Sequence, residues 1–382
     1  MRIAQIYHGF QRIAGTERFI LETSREMSKR NLEVRIYTTL FESGLVTGTQ
    51  PAIDTKTVSF VRPPLFALYS SLAVSKRLID AASSWADIII LHSGLSMAQH
   101  SWQKFNLPCV PFFHSDQYDQ SLFGGIRQMA RVYTLPLKIL NNKCVRTIPL
   151  AFTNSHSLSN RIRQYAGSGR IVSIPLGVDV DRFRPSWIDE GFILMAGRLH
   201  PTNNFEGGLA AAVNTSCRIV IAGIHENRFS WYYQRLQDTV KNTHRLKGRV
   251  EFVCPNEDEL VRLIQNCSVF LSPRKYGYLG LAALEAMACG KPVIVYDTDE
   301  DFGHLRSVIT CGDRISEWQS ALGTLMSDSD LRTKIGKDLR QFVEERHTWK
   351  NTVDMMLDAA KEYAGIDTRT PETSSTEVKL RC

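Results

Sequence analysis

A chain of 382 residues exceeds what one hydrophobic core usually sustains, so two domains of under 200 residues each are expected. With 43% hydrophobic and 22% charged residues the composition is that of an ordinary globular protein, and no run of about 18 apolar residues exists to span a membrane. The net charge of +7 suits anionic partners such as a nucleotide diphosphate or inner-leaflet headgroups; no zinc-finger, RNA-recognition or helix-turn-helix pattern speaks for nucleic acid.

The eight cysteines are scattered singly, with no CxxC pair and no histidine at zinc spacing, which fits a reducing cytosol and argues against a metal site. The opening MRIAQIYHG lacks signal-peptide architecture, so a cytoplasmic protein is expected.

From residue 1 to about 184, apolar runs alternate with helical segments, the pattern of βαβ units on a parallel sheet. Ile3–Tyr7 reads as the first strand and Gly9 to Gly15 as a loop. Thr16–Arg30 follows as an amphipathic helix with Phe19, Ile20 and Met27 inward, then Val34–Thr38 as the next strand. Asp87–His92 and Cys109–His114 are strands that each end on a histidine. Ligands of open α/β sheets bind beyond the carboxyl ends of the strands, so both histidines are placed to meet one; a purely structural role is the alternative for each.

Residues 126–148 hold Arg127, Arg131, Lys138, Lys143 and Arg146 with no acid, interleaved with apolar side chains and broken at Pro136. Two readings stand: an interfacial basic helix pair docking on anionic membrane, or a domain helix with a solvated basic face. Gly177 and Pro185 mark turns in IVSIPLGVDVDRFRP and place a hinge near 175–190. Phe192–Gly197 begins a second sheet with Arg198 directly after it, and Arg218–Gly223, Val250–Val253 and Val269–Ser272 continue it. Glu257–Gln265 is a helix with acids in its first turn.

Residues 269–296 are the most informative stretch. A buried strand leads into a turn with Pro273, Gly277 and Gly280, then an alanine-rich helix from Leu281 to Cys289, stopped by Gly290, Lys291 and Pro292 before the strand Val293–Tyr296. Glycines where a loop meets a helix N-terminus expose backbone N–H groups at the positive end of the dipole, which favours phosphate or sugar oxygens. Glu285 is the lone charge on that helix: it is either solvated on the outer face or supplied with a polar ligand. A strand at Val308–Cys311, helices at 313–326, 329–345 and 347–363, and a polar, unpatterned tail from Asp367 complete the chain; the tail is expected to be disordered. G-x-G-x-x-G, G-x-x-x-x-G-K-[ST], H-E-x-x-H and G-x-S-x-G are absent, which removes the main support for dehydrogenase, P-loop NTPase, zinc protease and α/β-hydrolase readings.

The run LGLAALEAMACGKPVIVYD resembles the donor-site signature of retaining glycosyltransferases of the GT-B fold, specifically glycosyltransferase family 4, usually E-G-F-G-x-x-x-x-E-A-M-A-x-G-x-P-V. Laid on without gaps, the second glutamate falls on Glu285, and Gly280, Ala286, Gly290, Pro292 and Val293 match. The opening loop with Gly15 (Ala14 standing for the preceding glycine), the strand-end His114, the 171–185 connection and the closing segment with Trp349 are similar to the family as well. The resemblance implies an α/β GT-B protein, two Rossmann-like doubly wound parallel-sheet domains facing each other across a cleft. It implies an acceptor-side domain at 1–180, a donor domain at 181–346, a helix at 347–365 crossing back and a tail at 366–382.

The activity it implies is transfer of a sugar, with retention, from a nucleotide-diphosphate sugar to a glycan, lipid-linked sugar or small molecule, using no metal and no cofactor. That chemistry suits polysaccharide or glycoconjugate synthesis. In the family's G-R-L-x-x-x-K-G, Arg198 matches the arginine, whose fork suits bidentate phosphate contact, while Asn203 stands at the lysine and Gly277 at the first glutamate. Lys275 and Arg274 in the same loop are candidate replacement cations. The implied catalytic residues are His114 and Arg198; the donor-binding set is Gly15, Arg198, Asn203, Lys275, Tyr278, Leu279, Gly280, Leu281 and Glu285, the last on the ribose hydroxyls. The two replaced positions leave open a degenerate GT-B protein that binds a nucleotide sugar or a partner enzyme without turnover. A sugar-nucleotide epimerase is the third reading, and the 269–296 run argues against it.

Overall fold

The computed structural model describes residues 1–10, 15–40, 54–58, 76–92, 107–114, 135, 139, 142–164, 166–224, 227–274, 279–296, 305 and 307–365. Seven strands form the first sheet: β1 (Arg2–Ile6), β2 (Glu33–Thr38), β3 (Asp54–Thr57), β4 (Ile88–His92), β5 (Cys109–Phe113), β6 (Leu150–Thr153) and β7 (Arg170–Ser173). Their order is β3-β2-β1-β4-β5-β6-β7. Six more, β8 (Phe192–Ala196), β9 (Arg218–Ala222), β10 (Val250–Val253), β11 (Val269–Ser272), β12 (Val293–Tyr296) and β13 (Ile309–Cys311), form a second sheet ordered β10-β9-β8-β11-β12-β13. Every pairing is parallel.

Parallel sheets carry helices on both faces, so their strands read as continuous apolar runs. IIILH and CVPFF show this directly, since every residue of β4 and β5 is buried. The exception is β3, DTKT: it is polar, mostly exposed and at the sheet edge, where the Arg35–Asp54 ion pair and the ladder to β2 hold it. It carries no apolar alternation, so its residues give no strand signal in the sequence.

The helices used below are α1 (Gly15–Ser28), α2 (His156–Arg163), α3 (Phe205–Ala212), α4 (Ser230–Asn242), α5 (Glu257–Asn266), α6 (Leu281–Ala288), α7 (Ile315–Ser327), α8 (Ser329–Arg346) and α9 (Trp349–Ala364). The acids at the start of α5 belong to a capping box: Asn256 accepts from the Glu259 backbone and the Glu259 side chain accepts from Asn256 N–H. The strand order reverses between β1 and β4 in one sheet and between β8 and β11 in the other. Those two switch points are where a doubly wound sheet opens a crevice for a ligand.

Helix α9 leaves the second sheet and packs on the first. Arg30 Nη1 of the α1 end meets Asp354 at 2.6 Å, and Thr352 Oγ1 donates to the Pro175 carbonyl at 2.9 Å. Gly177 is required here, because a Cβ on it would lie 2.6 Å from the Trp349 ring. Glycine also permits a close approach beside β8, where a Cβ on Gly223 would lie 1.8 Å from the Gly197 carbonyl oxygen.

Candidate active site between the two sheets

Arg198 follows β8 at the switch point of the second sheet and is exposed. The turn after it is built around its backbone. Pro201–Asn203 forms one 3₁₀ turn, Asn203 Nδ2 donates to the Arg198 carbonyl at 2.7 Å, and Asn204 sits in the left-handed region at φ 51°. From there Asn204 Nδ2 reaches the Pro273 carbonyl at 3.0 Å, which ties the β11–α6 loop to the Arg198 turn. Arg274 is therefore carried next to that turn, while Lys275, Gly277 and Tyr278 lie outside the described residues. Asn203 thus serves first as a backbone brace, a role the sequence did not suggest.

Leu279, Gly280 and Leu281 form the N-terminus of α6, with Gly280 at the cap and no side-chain hydrogen bond there. A Cβ built on Gly280 or on Gly15 would meet nothing within 4 Å. Among the described residues, packing does not demand glycine at either position, and such open backbone admits a bulky ligand.

Glu285 is not on a solvated face. The residue is 3% exposed, and its Oε1 lies 2.7 Å from Nη1 of Arg18, on α1 of the other sheet. Arg18 itself rests over the Phe183 ring at 5.6 Å. Burial pushes the Glu285 carboxyl above its ordinary range, Arg18 and then Arg182 pull it back, and Glu257 opposes them. The helix packs this acid inward because its neighbours are alanines, so the carboxylate has to find a cation across the cleft. Sequence pattern does not single out Arg18, because helical periodicity gives a direction only to the apolar residues of its helix. Its signal was position: it stands three residues after Gly15, in the first turn that faces the loop.

The two strand-end histidines part company. His92 is completely buried: its Nε2 lies 2.7 Å from Gln5 Oε1 and its Nδ1 lies 2.9 Å from His114 Nε2. With both nitrogens engaged inside the sheet layer, it does not meet a ligand. His114 lies nearer the surface and is partly exposed as a residue, but its ring stacks on Phe112 at 4.5 Å and meets Phe19 edge-on at 5.1 Å. Burial of that ring lowers its pKa to about 3, and burial lowers His92 well below the usual value, so both are neutral at physiological pH. Asn154, after β6, donates Nδ2 to the His114 carbonyl at 2.9 Å, and its Oδ1 is buried without a hydrogen-bond partner among the described residues.

A cavity of about 480 Å³ adjoins these groups. Asn154, Pro175, Leu279, Leu284, His347 and Met355 are among its walls, so it lies between the first sheet, the connection, α6 and the α8–α9 junction. The signature helix and the β6 end, whose Asn154 holds the His114 carbonyl, are thus brought to one space. The larger part of the basic segment, including Arg127, Arg131 and Lys138, lies outside the described residues.

Comparison with known proteins follows the same division of the chain. The family model described as Glycosyltransferase Family 4 matches residues 13–182, and that described as Glycosyl transferases group 1 matches residues 179–341. A D-inositol 3-phosphate glycosyltransferase of Xylanimonas cellulosilytica is 23% identical, over 94% of this chain and 93% of its own. Among solved structures, sucrose-phosphate synthase from Thermosynechococcus elongatus superposes with a TM-score of 0.77 at 18% identity, covering 96% of this chain and 100% of its own. Anabaena HepE in complex with UDP-glucose does so with a TM-score of 0.71 at 16% identity, over 95% and 100%. With adjoining family matches from residue 13 to residue 341 on two switch-point sheets, the chain belongs to glycosyltransferase family 4 and is a glycosyltransferase of the GT-B fold.

Proposed function

We propose that the protein transfers a sugar, with retention and without a metal, from a nucleotide-diphosphate sugar bound at the β8 and β11 strand ends to an acceptor on the β4–β6 side. The observation that carries this reading is Glu285, a carboxylate buried at the signature position and paired, among the described residues, with a cation from across the cleft. A ribose diol can donate two hydrogen bonds to it once Arg18 moves aside. The negative charge grows on that diphosphate as the glycosidic bond breaks, so cations and helix dipoles aimed there accelerate the step. Arg198, the α6 N-terminus and the neighbouring Arg274 are the groups we assign to it, with Lys275 as a further cation and Tyr278 as a further donor-binding residue. His114 serves the reacting end. Asn154 Oδ1, buried and without a partner among the described residues, would accept from a sugar hydroxyl delivered beside His114. That UDP-glucose is the ligand of HepE makes it the first donor to try.

The test is a thermal-shift screen of nucleotide sugars, followed by a donor-turnover assay with the best binder. Binding with turnover is expected. Binding without turnover in the presence of glycan and lipid-linked acceptors would support the degenerate reading, and no binding at all would refute the donor site.

For the acceptor, a second observation favours a lipid-linked sugar at an anionic membrane. Leu135 and Ile139, four apart within the basic segment, are 52% and 62% exposed, although no described helix is long and apolar enough to cross a membrane. Sedimentation with anionic vesicles at low and high salt checks it; absence of binding at low salt leaves the solvated-face reading.

A further inference from the structure

His114 is held by a chain of hydrogen bonds whose direction can be worked out from its buried end. On α1, the Ile20 carbonyl lies 3.3 Å from Gln5 Nε2, and Ser24 Oγ lies 2.6 Å from the same nitrogen. A carbonyl only accepts, so the amide group facing it must be the NH₂. Thr23 Oγ1 donates to the Phe19 carbonyl at 2.8 Å and is thereby available to accept from Gln5 as well. The orientation of Gln5 is therefore set, and its Oε1 faces His92 Nε2. An oxygen acceptor there requires a proton on Nε2. A neutral His92 then has its lone pair on Nδ1, and the 2.9 Å contact requires His114 Nε2 to donate. The one nitrogen of His114 left to accept is Nδ1.

We propose that His92 is a positioning residue that, braced by Gln5, locks His114 in the Nε2–H tautomer and so reserves His114 Nδ1 as the acceptor for a substrate hydroxyl. Around the pair, β1 contributes Gln5, α1 contributes Phe19, Thr23 and Ser24, β5 contributes Phe112, and the β6 end contributes Asn154. None of these is titratable, and besides burial His114 is the group, among the described residues, that shifts His92. Among the described residues, no group facing the rings can therefore reverse the chain of donors at neutral pH. The inference rests on the placement of His114 at the reacting end only for its catalytic consequence, not for the tautomer.

Histidine-selective ¹⁵N labelling of the full chain, with long-range proton–nitrogen spectra from pH 5 to 8, reads the tautomers without any substrate. Both rings are expected as neutral Nε2–H forms throughout; a neutral Nδ1–H His114 in the wild-type protein overturns the proposal. Gln5→Glu places a carboxylate on His92 Nε2–H, which favours a doubly protonated His92 and forces His114 Nε2 to accept, so the His114 ring should switch to Nδ1–H. Gln5→Leu, which removes the acceptor with little change in volume, should move the equilibrium the same way if the glutamate variant folds poorly. An unchanged His114 signal in the folded variants refutes the lock. In turnover assays the Gln5→Glu change should lower kcat about 100-fold, the lower end of what a positioned acid–base group contributes, with little change in donor KM. A switched tautomer with unchanged kcat would remove His114 from the reacting end while leaving the lock in place.

Discussion

Replacing Arg18 by methionine separates the structural from the functional role of the cleft ion pair. Glu285 is 4% exposed in its side chain and Arg18 is 24% exposed, with 2.7 Å between them. For unit charges about 4 Å apart at an effective dielectric near 20, the attraction is roughly 4 kcal/mol. Because a quarter of Arg18 is already in water, which can fill part of the gap left behind, the cost of its loss is discounted to about 2 kcal/mol. For domains of this size that corresponds to a fall in melting temperature of about 4–8 °C. The sign with pH follows from the raised folded-state pKa of Glu285. Its contribution to stability is full below the unfolded carboxylate value of about 4.3 and falls as pH rises through the folded value. Removing Arg18 raises that folded value further, so the variant should match the wild type near pH 4 and fall behind as pH rises to 7.5. A nucleotide sugar should then stabilise Arg18→Met more than the wild type, since no pair has to part before the ribose reaches Glu285. Melting curves at the two pH values, with and without donor, measure both effects. A deficit independent of pH, or a smaller ligand shift in the variant, would refute the reasoning.

Three further outcomes follow from named contacts. Arg198→Ala should reduce kcat by about one to two decades, the equivalent of a charge-assisted bond of ~1.5–3 kcal/mol, and should affect ground-state donor affinity less; a change in KM alone would make Arg198 only a binding residue. Asn203→Lys restores the family's residue but removes the 2.7 Å brace on the Arg198 carbonyl, so turnover is expected to fall, and a rise would show that the missing cation was limiting. Gly177→Val would drive side-chain atoms into the Trp349 ring, 2.6 Å from the nearest possible Cβ. It should cost about 1–3 kcal/mol in urea melts and red-shift the tryptophan emission, while an unshifted spectrum would mean that the connection does not bear on α9.

The local signals carried much of the fold. Apolar runs ending at Tyr7, at His92, at His114 and just before Arg198 marked strand ends, and glycine and proline marked the 269–296 unit, because backbone propensity and helix stops are written in neighbouring residues. The motif residues that identify the family are local in the same sense. What the sequence could not provide was partnership between residues far apart in the chain. Glu285 looked like a solvated acid or a ligand group, and only the facing of α1 on α6 gave it Arg18. His92 and His114 looked equivalent, and only the placement of β4 between β1 and β5 put Gln5 behind one and left the other at the rim. Asn203 looked like a lost lysine and proved to brace a carbonyl five residues away. Charge and hydrogen-bond satisfaction are settled by burial, and burial depends on which faces meet across two sheets; a one-dimensional pattern does not contain that information.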